Sequence, residues 1–207
     1  MFEAGVDFIT SGNHIWDKRE FRGYLEDSDR VIRPANYPPG SPGRGSGIFT
    51  VEGVNVGVVN LMGRVFMPTV DDPFRVGRDL VDGLRHQTNV IVIDMHAEAT
   101  SEKMALARFF DGEVSLVYGT HTHVQTSDEQ IFAGGTAYLS DVGMTGPSDG
   151  VIGMEQKAVL ERFTSALSER FSVQKTGTRQ FCAAVVSIDA SSGRALDIKR
   201  IFLRGLA

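Results

Sequence analysis

The run VSLVYGTHTH, Val114 to His123, changes character half-way along. Its first four residues form a short, mostly apolar stretch, as expected for a strand buried on both faces of a parallel sheet. A Gly/Thr-rich turn follows and presents His121 and His123 two residues apart. The same grammar occurs twice more. Val6–Thr10 (VDFIT) runs into SGNHIWD, and Asn89–Asp94 (NVIVID) runs into MHAEAT. Four of the five histidines, His14, His96, His121 and His123, lie in these three loops.

Helical patterns alternate with the apolar runs. The sequence predicts helices over Lys18–Glu26, Pro73–His86, Thr100–Phe110 and Ala158–Phe171. Asp72 suits the N-cap of the second, with Pro73 at its first position. Thr100 is the expected cap of the third, with Glu102 favourably placed in its first turn. His86 is expected at the end of the second helix, a structural position for a cation. This alternation argues for an α/β fold with crossover connections. Three further pairs of segments read as antiparallel hairpins: Gly47–Val51 with Val54–Asn60, Gln130–Phe132 with Thr136–Leu139, and Phe181–Ile188 with Ala195–Phe202. The expected sheet is therefore mixed. Arg33–Ser46, rich in proline and glycine, reads as an irregular surface loop.

Composition narrows the function classes. The 207 residues fit one domain with a sizeable core. Net charge is -5 and the pI is near 5.5, so nothing marks a long nucleic acid or a membrane surface as partner. No apolar run approaches the ~20 residues that cross a bilayer. The one cysteine, Cys182, lies in the apolar run FCAAVVSI and is expected as a core thiol, so a reducing cytoplasmic setting fits.

In open α/β sheets ligands bind beyond the carboxyl ends of the strands. Asn13, His14, His96, His121 and His123 would share that edge. Imidazole nitrogens and an amide oxygen form a metal site of borderline ligands. An H-x-H pair can give one ring to each of two neighbouring ions, and ion pairs ~3.5–4 Å apart recur in phosphate-ester hydrolysis.

Those residues, in order, carry a resemblance. GNH (Gly12–His14), a strand-end histidine (His96) and GTHTH (Gly119–His123) resemble the calcineurin-like metallophosphoesterases. The flanking text, ITSGNHIWDKRE, GRVFMPTVDDPF, DMHAEATSEK, YGTHTHVQTSDE and SDVGMTGP, is similar to the bacterial YmdB-type branch. The resemblance implies a calcineurin-like sandwich of mixed sheets flanked by helices. It implies Asn13, His96 and His121 as ligands of one metal, His123 as a ligand of another, and His14 as the proton donor to the leaving oxygen. Arg64, in the GRVFMP segment, is a weaker candidate for the substrate side. Asp141 is expected to support a loop rather than bind metal directly. The implied reaction is hydrolysis of small phosphodiesters, 2′,3′-cyclic nucleotides foremost, by metal-activated hydroxide. The implied metals are two ions of iron or manganese, the implied compartment is the cytoplasm, and a homo-oligomer is compatible.

The family also opens with an Asp-containing strand end and a second one with Glu-Asn, and neither motif occurs here. Met1–Gly5 reads as the end of a helix closed by glycine. The expectation is an N-terminally truncated single domain, 1–207, short of its first strand-helix-strand region and of ~30 or more residues. On that expectation Val6 lies inside the main sheet, and the chain keeps ligands for one ion. The alternative function is a catalytically impaired regulatory or nucleotide-binding protein with a partial metal site. A mononuclear zinc hydrolase of carbon esters is a third reading, weakened by the unusual ligand set.

Overall fold

A computed structural model describes residues 1–167 and 170–206 of the chain. The elements in order are β1 (Ile9–Thr10), α1 (Phe21–Asp27), β2 (Val31–Ile32), β3 (Ser46–Val51), β4 (Val54–Met62), α2 (Pro73–Arg85), β5 (Val90–His96), α3 (Thr100–Phe109), β6 (Leu116–Thr120), β7 (Gln130–Ile131), β8 (Ala137–Leu139), β9 (Gly146–Pro147), α4 (Gln156–Ser165), β10 (Arg179–Ile188) and β11 (Ala195–Leu206).

The main sheet has six strands in the order β3-β4-β5-β6-β8-β7. β4, β5, β6 and β8 run parallel, while β3 and β7 are antiparallel edges. The β3–β4 hairpin turns through Glu52 and Gly53, both at positive φ, the geometry that matches strand twist in a two-residue loop. Helices α2 and α3 cover one face. Val81, Leu84, Leu106 and Phe110 pack there on Val59, Leu61, Ile91, Ile93, Met95 and Val117 in one contiguous core. The β4–β5 and β5–β6 crossovers run through α2 and α3, and α2 starts cleanly because Asp72 Oδ1 accepts from the backbone N–H groups of Phe74 and Arg75. A second sheet, β11-β10-β9, holds the C-terminal hairpin. Among the described residues no helix is long and apolar enough to cross a membrane.

Several expectations need correction. Val6–Thr10 does not form a central strand. Only Ile9 and Thr10 are extended, and they pair with β2 in a separate two-stranded parallel sheet. The carbonyls of Val6 and Asp7 are taken by the Arg30 side chain at 2.7 and 2.8 Å instead of a ladder. Thr100 opens α3 but does not cap it; Ala99 occupies the cap without a side-chain hydrogen bond. Helix α4 stops at Ser165, where Ala166 turns left-handed. Residues 168 and 169 of the expected longer helix lie outside the described residues. Cys182 is half-buried rather than in the core. His86 does sit at the C-cap of α2.

Candidate metal centre

Sheet register sets the first part of the site. His96 is the last residue of β5 and lies in register with Met62 on β4 and Thr120 on β6. The Thr120 hydroxyl donates to Asp94 Oδ1 at 2.8 Å. Its oxygen is therefore left to accept the proton of His96 Nδ1, 2.9 Å away. That chain fixes the tautomer and turns the Nε2 lone pair outward. Burial pushes the Asp94 carboxyl up to about 7, against hydrogen bonds from Thr10 and Thr120.

The other ligand candidates arrive on loops. Asn60, buried on β4, donates to the carbonyl of Ser11 at 2.8 Å, and Ser11 Oγ donates to the carbonyl of Ile32 at 2.8 Å. These bonds hold the Ser11–His14 loop over β5. Gly12 is required there: a Cβ would lie 2.2 Å from His96 Cε1. With the loop so placed, Asn13 Oδ1 is 2.8 Å from His96 Nε2. His121 approaches from β6, its Nδ1 3.2 Å from His96 Nε2 and its Nε2 3.2 Å from Glu98 Oε2.

The tautomers decide what this cluster can do. In the tautomer that carries the His121 proton on Nε2, the side of Glu98, three acceptor atoms meet with no proton among them: Asn13 Oδ1, His96 Nε2 and His121 Nδ1. Lone pairs so close repel, and a cation between them removes the repulsion. Burial favours the neutral form of both rings: it lowers His121, and together with the neighbouring His121 and Lys103 it lowers His96 to about 3. The donor set therefore fits one borderline cation.

The H-T-H turn is strained. His121 has φ 96° and His123 φ 66°, conformations that side-chain-bearing residues rarely adopt. A buried ion pair holds the turn. Lys103 of α3 and Asp141, each with a side chain 2% exposed, meet at 2.9 Å. Asp141 Oδ2 also accepts from Thr122 N–H at 3.1 Å and Thr122 Oγ1 at 2.8 Å, and Oδ1 accepts from Gly143 N–H at 2.8 Å. Gly119 allows the approach; a Cβ there would sit 1.8 Å from the Ser140 carbonyl oxygen.

Among the described residues the remaining candidates form no hydrogen bond with the cluster. His123 Nδ1 bonds the carbonyl oxygen of Ile152 at 2.8 Å, which leaves Nε2 uncommitted. His14 is 79% exposed and tied through Nδ1 to Asp17 at 2.9 Å. Arg64 pairs with Asp72 at 3.3 Å, and its backbone N–H is held by Glu102. Among the described residues no group of three or more His, Cys, Asp or Glu side chains gathers for a metal. Sequence reasoning did not select Asp94, Thr120, Glu98, Asn60 or Lys103, whose roles depend on neighbours remote in the chain.

Residues 1–201 match the family model described as YmdB-like protein. The chain belongs to the YmdB-like family. It is 45% identical over 203 residues to a Bacillus subtilis protein named 2′,3′-cyclic-nucleotide 2′-phosphodiesterase, covering 98% of this chain and 76% of that one. It superposes on the crystal structure of a hypothetical protein from Thermus thermophilus with a TM-score of 0.92 and 41% identity, over 99% of this chain and 79% of that one. The crystal structure of a novel phosphatase from Mycoplasma pneumoniae gives 0.89 and 32%, over 98% and 74%. The fold is thus the calcineurin-like metallophosphoesterase arrangement of a mixed central sheet flanked by helices.

Proposed function

We propose that this chain is a hydrolase of phosphodiester bonds whose substrates are small nucleotides, 2′,3′-cyclic nucleotides foremost. The observation that carries the reading is the convergence of Asn13 Oδ1, His96 Nε2 and His121 Nδ1 at the carboxyl end of the parallel strands. The identity to the Bacillus subtilis phosphodiesterase supports the substrate class. Asn13, His96 and His121 would hold one ion, and His123, whose Nε2 is uncommitted, would contribute to a second. When bound, such ions neutralise phosphate charge and generate a nucleophile from water at neutral pH. Iron or manganese suits the mixed nitrogen and oxygen donors. The chain's own residues supply the rest. Asp17 fixes His14 through Nδ1, leaving Nε2 on the open side to protonate the departing ribose oxygen. Asp141, through Thr122, holds the two loop histidines in their strained conformation. The cytoplasm is the compartment that suits this chemistry and the single free thiol.

Metal content per chain, measured by elemental analysis on the purified protein, tests this together with 2′,3′-cyclic AMP hydrolysis on the same sample. We expect His96→Ala and His121→Ala to lose the metal, and His14→Ala to keep it while turnover falls. Metal content unchanged in both His96→Ala and His121→Ala would sink the proposal. A second reading is a nucleotide-binding protein without turnover. The hydrogen bond of His123 to the Ile152 carbonyl, and to none of the three donors, favours it, and metal binding without hydrolysis would select it.

A further inference from the structure

A cavity of about 250 Å³ opens beside His123. Its walls include Met144, Ile152, Gln180, Phe202 and Arg204. The size is near the lower end for small-molecule sites, about 300 Å³. It has room for one heteroaromatic ring system.

The wall chemistry is specific. Phe202 is 40% exposed, and the Arg204 guanidinium lies 4.5 Å from its ring centroid. Among the described residues Arg204 pairs with no carboxylate. An aromatic ring and a planar cation at the mouth of a small pocket form a surface on which a nucleobase stacks. Register places Gln180 opposite Arg204 and Cys182 opposite Phe202, so the four share one face of the β10–β11 hairpin. Gln180 Nε2 is committed to the carbonyl of Met144 at 3.1 Å and to Cys182 Sγ at 3.7 Å. Its amide oxygen makes no hydrogen bond among the described residues, which leaves an acceptor for an exocyclic amine.

Backbone strain marks the opposite wall. Val151 and Met154 exchange two backbone hydrogen bonds of 2.9 Å around a two-residue turn. Both turn residues have positive φ, 44° at Ile152 and 90° at Gly153. Asn-Gly is the usual choice for that turn, and a β-branched residue at such a φ is an outlier. The strained turn aims the Ile152 carbonyl at His123 Nδ1 while Ile152 itself lines the cavity.

We propose that this cavity is the base subsite. It takes the nucleobase of a mononucleotide, preferring one with an exocyclic amine, while the phosphodiester lies at the Asn13, His96 and His121 cluster. The inference rests on the proposed function for the placement of the phosphate. The base contacts themselves do not depend on it.

The test is calorimetric titration of the Mn²⁺-supplemented chain with 2′,3′-cyclic AMP and with methyl riboside 2′,3′-cyclic phosphate, which lacks a base. Adenosine is titrated separately, with the methyl NMR signals of Met144 and Ile152 as readout. We expect cyclic AMP to bind about tenfold or more tightly than the base-free ligand. Phe202→Ala should abolish that advantage and leave the base-free ligand unchanged, and Phe202→Trp should keep it. His121→Ala should weaken both cyclic ligands and leave the adenosine-induced shifts intact. Equal affinity for the two cyclic ligands in the wild type, or an unchanged advantage in Phe202→Ala, overturns the subsite. Adenosine shifts at Met144 and Ile152 with no binding of the base-free phosphodiester leave the subsite standing and overturn the hydrolase reading instead.

Discussion

Asp141→Asn is the substitution on which the loop argument stands or falls. The carboxylate accepts four hydrogen bonds, from Lys103 Nζ, Thr122 N–H, Thr122 Oγ1 and Gly143 N–H, at 2.8 to 3.1 Å. An asparagine keeps the shape but removes the charge, and it turns a donor towards either the ammonium or Gly143. Lys103, 2% exposed, is then left as an uncompensated buried cation. Stranding one member of such a pair costs about 3–5 kcal/mol. For a chain of this length that is a fall of roughly 6–20 °C in Tm. Urea denaturation and a thermal scan measure both quantities. The double substitution Lys103→Met with Asp141→Asn removes the stranded charge and should recover at least half of the lost stability. Mn²⁺ affinity should stay low in the double variant, because Thr122 has still lost its charged anchor. A loss below about 1 kcal/mol in Asp141→Asn, or a double variant no more stable than the single one, would refute the reasoning.

Three further outcomes follow from particular contacts. Gly12→Ala puts a methyl group 2.2 Å from the His96 ring. It should displace the ring or the loop and abolish metal uptake, with little change in far-UV circular dichroism. Ile152→Asn relieves a β-branched residue at φ 44° and should stabilise the fold by about 1 kcal/mol in thermal unfolding. Arg78 holds the Glu113 carboxyl below its usual range through hydrogen bonds that include one of 2.8 Å. A depressed carboxyl contributes stability that is present above the unfolded pKa, near ~4.3, and is lost as pH falls through the folded value. The pair is partly exposed, so Glu113→Gln should cost no more than about 1 kcal/mol at pH ~7. Unfolding curves for this variant and wild type should converge as pH falls through the folded value.

Some of the architecture was legible because its causes are local. Asp72-Pro73 marks the start of α2 within four residues, and the cap bonds are made there. The Glu52-Gly53 turn and the Ala133-Gly134-Gly135 turn lie between alternating or apolar runs and close hairpins. By the same reasoning Val6–Thr10 promised a full strand, and it is not one. A strand needs a neighbour to pair with, and Arg30, more than twenty residues on, takes the carbonyls instead. Helix α4 ended early because Ala166 adopts a left-handed backbone, a choice no propensity signals in an alanine.

The sequence by itself determined the alternation of strands and helices, the mixed sheet and the clustering of histidines at strand ends, since period, turn chemistry and composition are properties of neighbouring residues. It could also name Asn13, His96, His121 and His123 as metal-ligand candidates. Only the tertiary structure decided which of them meet. The in-register pairing of His96 with Thr120 sets the tautomer, the buried Lys103–Asp141 pair reaches across thirty-eight residues to hold Thr122, and the Ile152 carbonyl turns His123 aside. Each of these is a contact between residues distant in the chain, and its energy depends on burial and direction, which exist only once the sheet has formed.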